Sequence, residues 1–329
     1  MKYRTTNKII FCLFISAIFI WGCERGSNAN EPLDIIPPVP SGVSVYYAYD
    51  GEILFIWNND PSGATKFFTI YRSVGDTLNF TMLASTSKDF YFDDSLYYDT
   101  TYYYKIKATS FSNRESDFSA YIYAVPQNQF APKKVIHFLA EGRNWEGERY
   151  FFLSWELLKD SDIAGYNIYK SDVENFAADS GSYIGFSANS YFVDKSDTIS
   201  DKRFYYKIRG LDKGGLIGKD SDISFDEINN IPELIFPADR STVNYFENFI
   251  IKTISKPIDY LIILQSNPYY GEIWSEKFYS TAISDTINIH PKYTILYPYR
   301  DYYWRIVTYS KDRTTPNSIS PVYSFRIKL

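Results

Sequence analysis

An apolar run closing on tryptophan occurs twice in this chain, and the residues beyond each tryptophan repeat at matched distances. Ile53-Leu54-Phe55-Ile56-Trp57 returns as Tyr150-Phe151-Phe152-Leu153-Ser154-Trp155. Eleven residues after each tryptophan stands an aromatic, Phe68 or Tyr166, and fourteen after it the tyrosine of Ile70-Tyr71-Arg72-Ser73 or Ile168-Tyr169-Lys170-Ser171. Further on, Tyr102-Tyr103-Tyr104-Lys105-Ile106-Lys107-Ala108 returns as Phe204-Tyr205-Tyr206-Lys207-Ile208-Arg209-Gly210. A repeat of this length means that one supersecondary unit has been used more than once.

The unit is built of strands. In the first copy the candidates are residues 43–47, 53–57, 67–73, 81–84, 90–92, 102–109 and 120–125. Tyr102, Tyr104, Ile106 and Ala108 share one face, and Lys105 and Lys107 share the other, which is the period of two expected of a half-buried strand. Tyrosine and phenylalanine, 32 and 25 of the 329 residues, favour pleated structure. Seven short strands in about 90 residues predict an all-β sandwich.

These motifs resemble the fibronectin type III domain. The resemblance rests on Trp57 and Trp155 on the second strand, Phe68-x-Ile70 and Tyr166-x-Ile168 on the third, and Tyr102-x-Tyr104-x-Ile106-x-Ala108 on the sixth. It implies a structural core around Trp57, Trp155 and Tyr102. It also implies a tyrosine corner, in which the Tyr102 hydroxyl ties down the loop containing Leu96. The second copy has Phe204 at that position and lacks the hydroxyl. A third, more divergent unit carries Leu296-x-Pro298-x-x-x-Tyr302-x-Trp304-x-Ile306, with Tyr302 at the corner, and lacks the second-strand tryptophan. The expected organisation is tandem immunoglobulin-like sandwiches over residues 38–126, 130–228 and 231–329. Short linkers marked by proline at 126–132 and 229–232 would set these units out as a semi-extended rod.

The chain opens differently. Lys2, Arg4 and Lys8 precede Ile9–Ile20, twelve residues without a charge. That run is too short to span a bilayer as a helix, and it fits the apolar region of a secretory signal. It ends Ile20-Trp21-Gly22-Cys23, which resembles the lipobox of bacterial lipoproteins, with Trp21 standing where a small residue is usual. The resemblance implies a signal peptide over 1–22, removal before Cys23, and acylation of Cys23 as the lipid attachment site. It places the chain in the cell envelope, held to a membrane (the outer membrane in a Gram-negative cell). Residues 24–37 are polar, then proline-rich, and read as the tether after the lipidated cysteine, so that 23–37 links anchor to sandwich.

Little in the rest of the chain suggests chemistry. The mature balance of 31 basic against 39 acidic residues offers no footprint for nucleic acid. Cys12 would leave with the signal, and Cys23 would be acylated. His137 and His290 lie in different units. No nucleophile elbow or phosphate loop is present, although Ser85-Thr86-Ser87-Lys88 satisfies a four-residue pattern whose companions are missing. The acidic pairs at 93–94, 160–162 and 220–222 read as turn residues, with loop calcium left open. The expectation is therefore a protein that is not an enzyme, needs no cofactor or metal, and presents sandwiches to a protein or glycan. Trp145 and the Tyr269-Tyr270 pair, in turn contexts, are the candidate binding aromatics, and they would serve equally in an accessory carbohydrate-binding lipoprotein. If Cys23 carries the anchor, metabolic labelling with a fatty-acid probe will mark the wild-type chain, and Cys23→Ser will abolish the label and leave precursor or mislocalised protein. An unlabelled wild type would refute the anchor.

Overall fold

The computed structural model describes residues 35–328 apart from 197, 245 and 293–295; the signal, Cys23 and most of the tether lie outside the described residues. Among the described residues there are twenty-three strands and no helix. The first sandwich comprises β1 (Ser44–Tyr49), β2 (Glu52–Ile56), β3 (Thr65–Val74), β4 (Thr81–Thr86), β5 (Phe90–Asp93), β6 (Tyr102–Ser110) and β7 (Ile122–Ala124). The second comprises β8 (Leu139–Trp145), β9 (Glu148–Ser154), β10 (Ile163–Ser171), β11 (Tyr183–Ser187), β12 (Tyr191–Asp194), β13 (Arg203–Asp212) and β14 (Ser224–Glu227). The third comprises β15 (Glu233–Phe236), β16 (Ser241–Val243), β17 (Phe249–Lys252), β18 (Ile258–Gln265), β19 (Glu272–Ser280), β20 (Thr286–Ile289), β21 (Asp301–Tyr309), β22 (Pro316–Ile319) and β23 (Tyr323–Ile327).

In the first sandwich, strands β1-β2-β5 face strands β4-β3-β6-β7, and the second repeats this as β8, β9 and β12 against β11-β10-β13-β14. The third has β15-β17-β20 against a sheet centred on β18 and β21. This is the immunoglobulin-like arrangement of two antiparallel sheets with their apolar faces together. Each sandwich holds its own buried cluster: Ile53, Phe55, Trp57, Tyr104 and Ile106 in the first, Phe151, Leu153, Trp155, Tyr206 and Ile208 in the second, Phe249, Ile251, Tyr260, Trp304 and Ile306 in the third.

The repeat persists at atomic detail. In the first sandwich Tyr104 Oη donates to Asp93 Oδ2 at 2.6 Å, and the Arg72 guanidinium pairs with both Asp93 oxygens at 3.0 Å. In the second, Tyr206 Oη donates to Asp194 Oδ2 at 2.8 Å and Lys170 pairs with Asp194 at 2.8 Å. Burial, then the adjacent Asp93 charge, raises the Tyr104 phenol pKa far above its usual value. The register places Leu264, Trp304 and Ile289 at the corresponding positions of the third sandwich, so the ionic triad there is replaced by apolar packing. Buried ion pairs often exchange for apolar groups at little cost, because desolvation cancels much of their attraction.

Hydroxyls tie loops to strands in every unit. Tyr102 Oη accepts from the Tyr97 amide at 2.9 Å, and Tyr302 Oη accepts from the Tyr297 amide at 2.6 Å. Where the second unit has Phe204, a different tyrosine acts: Tyr166 Oη on β10 accepts from the Leu158 amide at 2.8 Å. Tyr260 on β18 does the same for Ile254 at 3.1 Å, so the third unit carries both ties. Ser119, Ser221 and Ser320 each accept, through Oγ, the amide of the central isoleucine of the sixth-strand equivalent (Ile106, Ile208, Ile306) at 3.0 Å. Thr253 occupies the position of the missing tryptophan. Its amide reaches Asp285 O at 2.9 Å, just as Trp57 and Trp155 reach Asp89 and Ser190.

The second linker is more than a spacer, because the sandwiches on either side of it are joined directly. β22 pairs in parallel with β8, Ser318 opposite Asn144 and Ile319 opposite Trp145, so one nine-stranded sheet runs through the second and third sandwiches. Three buried amides stitch the junction. The Asn229 amide donates to Asn317 Oδ1 at 2.7 Å, Asn317 Nδ2 donates to Glu227 O at 2.8 Å, and Asn144 Nδ2 donates to Asn229 O at 2.9 Å. Asp226, also buried, accepts from the Gly142 amide at 2.8 Å and Ser310 Oγ at 2.9 Å. Gly142 is required there: a Cβ would lie 2.3 Å from Glu227 O. A proline-marked stretch of sequence reads as stiff and exposed, but a buried backbone must find partners, and Asn229 supplies them.

This coupling has a measurable consequence. Chemical denaturation followed by hydrogen exchange will show the second and third sandwiches unfolding together and the first separately. Trp155→Ala, at a cost of about 3–5 kcal/mol, will lower the shared transition, and Trp57→Ala only the other. A second expected outcome concerns pH. Burial raises the Asp226 carboxyl pKa above its usual value. A raised folded-state pKa gives stability that is complete below the unfolded value, about 4, and is lost as pH rises through the folded value. Asp226→Asn, neutral throughout, will flatten this decline when unfolding midpoints are compared from pH 4 to 8.

Candidate binding surface

Alternation along β6 puts Tyr102, Tyr104, Ile106 and Ala108 inside and sends Tyr103, Lys105 and Lys107 outward. Register carries the outward face across the sheet. Tyr103 lies opposite Ser73 on β3 and Tyr123 on β7, while Lys105 lies opposite Tyr71, which in turn faces Met82 on β4. Phe118 and Tyr121, on the segment leading into β7, complete an aromatic platform. Tyr71 meets Phe118 edge-on at 5.0 Å, and Tyr103 lies 5.9 Å from both Tyr121 and Tyr123. Lys105 Nζ sits 3.9 Å from the Phe118 ring centre and 4.1 Å from that of Phe80. Lys107 lies over Phe118 at 4.6 Å and pairs with Glu115 at 2.8 Å. At the rim Tyr123 is 64% exposed and Met82 62%.

Two of these ring pairs meet edge to face and the third is tilted by 39°, so their orientation is set before any partner arrives, and the ammonium groups of Lys105 and Lys107 lie on the Phe118 ring. Such a face can bury aromatic area and donate phenol hydrogen bonds. It has no paired acid and base and no activated nucleophile. The signal was present in the sequence as Tyr103 on the lysine face and the alternate Tyr121 and Tyr123, but only cross-strand register brings these residues together.

The sequence-predicted residues fall in different places. Trp57, Trp155, Tyr102 and Tyr302 are buried. Trp145, expected on an open turn, ends β8 opposite Glu148 and is half-buried, with Arg143 stacked 4.8 Å over its ring. The turn itself is only Glu146-Gly147, both at positive φ. Ala140, Gly142 and Asn144 form the inward positions of β8, too small or too polar to read as a core-facing strand. Tyr269 and Tyr270 project from the β18–β19 loop, 87% and 68% exposed. The structure does not gather Trp145 with this pair. His137 bonds Glu156 at 2.7 Å and His290 bonds Glu247 O at 3.0 Å, in separate units. Among the described residues no three His, Cys, Asp or Glu side chains gather closely enough to hold a metal ion. The acidic turns have partners of their own: Asp160 with Lys133, Asp162 with the Tyr98 hydroxyl, Asp220 with Lys207 and Arg209, Asp222 with Lys134.

No protein-family model matches the chain, and no curated protein matches it in sequence. Among solved structures it is similar to the three fibronectin type III domains FN1–FN3 of chicken CNTN1. That similarity covers 89% of this chain and 100% of the other, at 13% identity and a TM-score of 0.33.

Proposed function

We propose that this chain is a non-catalytic interaction protein, lipid-anchored through Cys23 in the cell envelope, that presents its sandwiches for binding outside the cytoplasm. The observation that carries the reading is the preorganised aromatic platform of the first sandwich. Two of its ring pairs meet edge to face and the third is tilted by 39°, so they form no coplanar surface, which suits burial against a protein surface better than stacking on the flat face of a sugar polymer. Standing next to the tether, the platform would lie on the unit nearest the membrane. Incorporating a photo-crosslinking residue in cells at Tyr123 and at Met82 will trap a protein adduct that the same residue at Lys328 does not. Adducts at Lys328 but at neither platform position would place binding elsewhere.

A carbohydrate-binding reading is favoured by one observation, the high exposure of Tyr269 and Tyr270. It predicts that residues 24–329 bind a glycan array and that Tyr269→Ala with Tyr270→Ala removes the signal. A blank array would leave the protein-binding reading alone.

A further inference from the structure

The outward face of the β1-β2-β5 sheet is apolar where the corresponding faces of the other two sandwiches are crossed by charge or are polar. Register sets Ile56 opposite Phe90, and Leu54 between Tyr47 and Phe92. The alternate residues Val45, Ile53, Phe55 and Tyr91 pack into the core, so the pleat turns the first set to solvent. Ile56, Phe90 and Phe92 are exposed, and Tyr46, at the bulge in β1, is 70% exposed. Tyr47 meets Phe92 edge-on at 6.4 Å and Tyr46 at 6.2 Å. In the second sandwich the equivalent face carries Phe152, Tyr191 and Val193, but the Glu141–Arg143 ion pair lies across it, with Arg143 4.3 Å over the Phe152 ring. In the third, Lys252, Thr286 and Asn288 stand at outward positions. The face grows more polar from the first unit to the third, in the order in which the units follow Cys23.

The face is also graded along its own length. One end adjoins the incoming chain, where the Asn58 amide donates to Ser41 O and the Trp57 amide to Asp89 O, both at 2.9 Å. Exposed Ile35, Ile36 and Val39 lie on that approach, and Lys88 Nζ sits 4.9 Å over the Phe90 ring, next in sequence to Asp89. The other end is the junction with the second sandwich. There Glu52 stands opposite Tyr49 and accepts the Ser161 hydroxyl at 2.8 Å, and Asp50 accepts the amides of Gln129 and Phe130 at 2.8 and 2.9 Å. These two carboxylates lie at the end remote from the incoming chain, and Ile56 and Phe90 at the end beside it. Ile35 is the twelfth residue after Cys23, and a stretch of that length spans at most roughly 40 Å. A lipid on Cys23 would therefore hold the apolar face within reach of the bilayer, at an effective concentration that lets a weak contact persist. An exposed apolar patch of this kind needs a partner, and tyrosine and phenylalanine suit the boundary between acyl chains and headgroups, where one end of the ring is apolar and the phenol stays wet.

We propose that the outward face of β1-β2-β5 lies on the lipid surface of the membrane that holds the anchor. The inference rests on the acylation of Cys23 and deepens it by giving the first sandwich an orientation. The aromatic platform, on the outward face of the opposite sheet, would then point away from the bilayer and toward its partner.

Residues 23–329 contain one cysteine, Cys23. It can be coupled to a maleimide lipid in vesicles of phosphatidylethanolamine and phosphatidylglycerol, or to a soluble maleimide as the control. Hydroxyl-radical footprinting read by mass spectrometry should show oxidation of Tyr46, Phe90 and Phe92 falling at least threefold on the vesicles, with Tyr123, Met82, Tyr269 and Tyr270 unchanged. Ile56→Ser with Phe92→Ser, both at exposed positions, should return Tyr46 and Phe90 to their rates in the soluble control. The wild-type comparison needs no variant, so it decides the matter even where the double variant folds poorly. Equal oxidation on and off the vesicles overturns the proposal, as does protection of Tyr123 and Met82 instead. A soluble control that sediments as a dimer, with Tyr46, Phe90 and Phe92 protected at high concentration, assigns the face to a second copy and also overturns it. Because the coupling is chemical, each of these failures is distinct from a failure of acylation, which the fatty-acid label reports.

Discussion

The inward rings of the sixth-strand equivalents set the spacing of every sandwich. Tyr104, Tyr206 and Trp304 are fully buried, each contacting a ring of the facing sheet: Phe55 at 4.6 Å, Phe151 at 5.5 Å and Phe249 at 4.8 Å. A ring that large holds two sheets roughly 10 Å apart, and its polar atom must find a partner when buried. Tyrosine solves this with an aspartate at the end of the facing strand, and the aspartate then needs a cation from the third strand. Trp304 solves it through a main-chain carbonyl, Nε1 donating to Pro237 O at 3.2 Å. The aspartate and cation then become unnecessary, and Ile289 and Leu264 stand in their places. One change of ring thus accounts for two further differences between the third unit and the others.

The two junctions divide the molecule mechanically. The second and third sandwiches share a sheet, buried amides and the Asp226 carboxylate. The first meets the second through carboxylates, hydroxyls and the linker backbone, with the Tyr49 and Phe130 rings 5.4 Å apart as its aromatic contact. A shared ladder of backbone bonds couples units far more tightly than a polar junction, which resembles a transient interface. The platform belongs to the unit on the looser side. Anchoring at the amino terminus would leave the rigid pair of sandwiches projecting outward.

The platform depends on a face that the core does not use. On β6 the inner residues make the sandwich and the outer ones make the platform, so the same alternation writes both.

The sequence by itself determined the strand period, the repeat and hence the sandwich class, because alternation and aromatic spacing are local properties that burial must respect. Trp57, Trp155, Tyr102 and Tyr302 could be placed in cores on that basis. The tertiary structure alone decided which outward residues become neighbours. Tyr71, Tyr103 and Tyr123 come from three different strands, and register sets them side by side. It also decided that Trp145 ends a strand, since the small and polar residues at 140, 142 and 144 conceal a face packed against β14. Asn229 looked like linker and is a buried clasp, because its value lies in the side-chain amides of Asn144 and Asn317 and the Thr308 hydroxyl, from elements up to 88 residues away. Hydrogen bonds between such distant groups leave no period in the chain, and only the folded geometry assembles them.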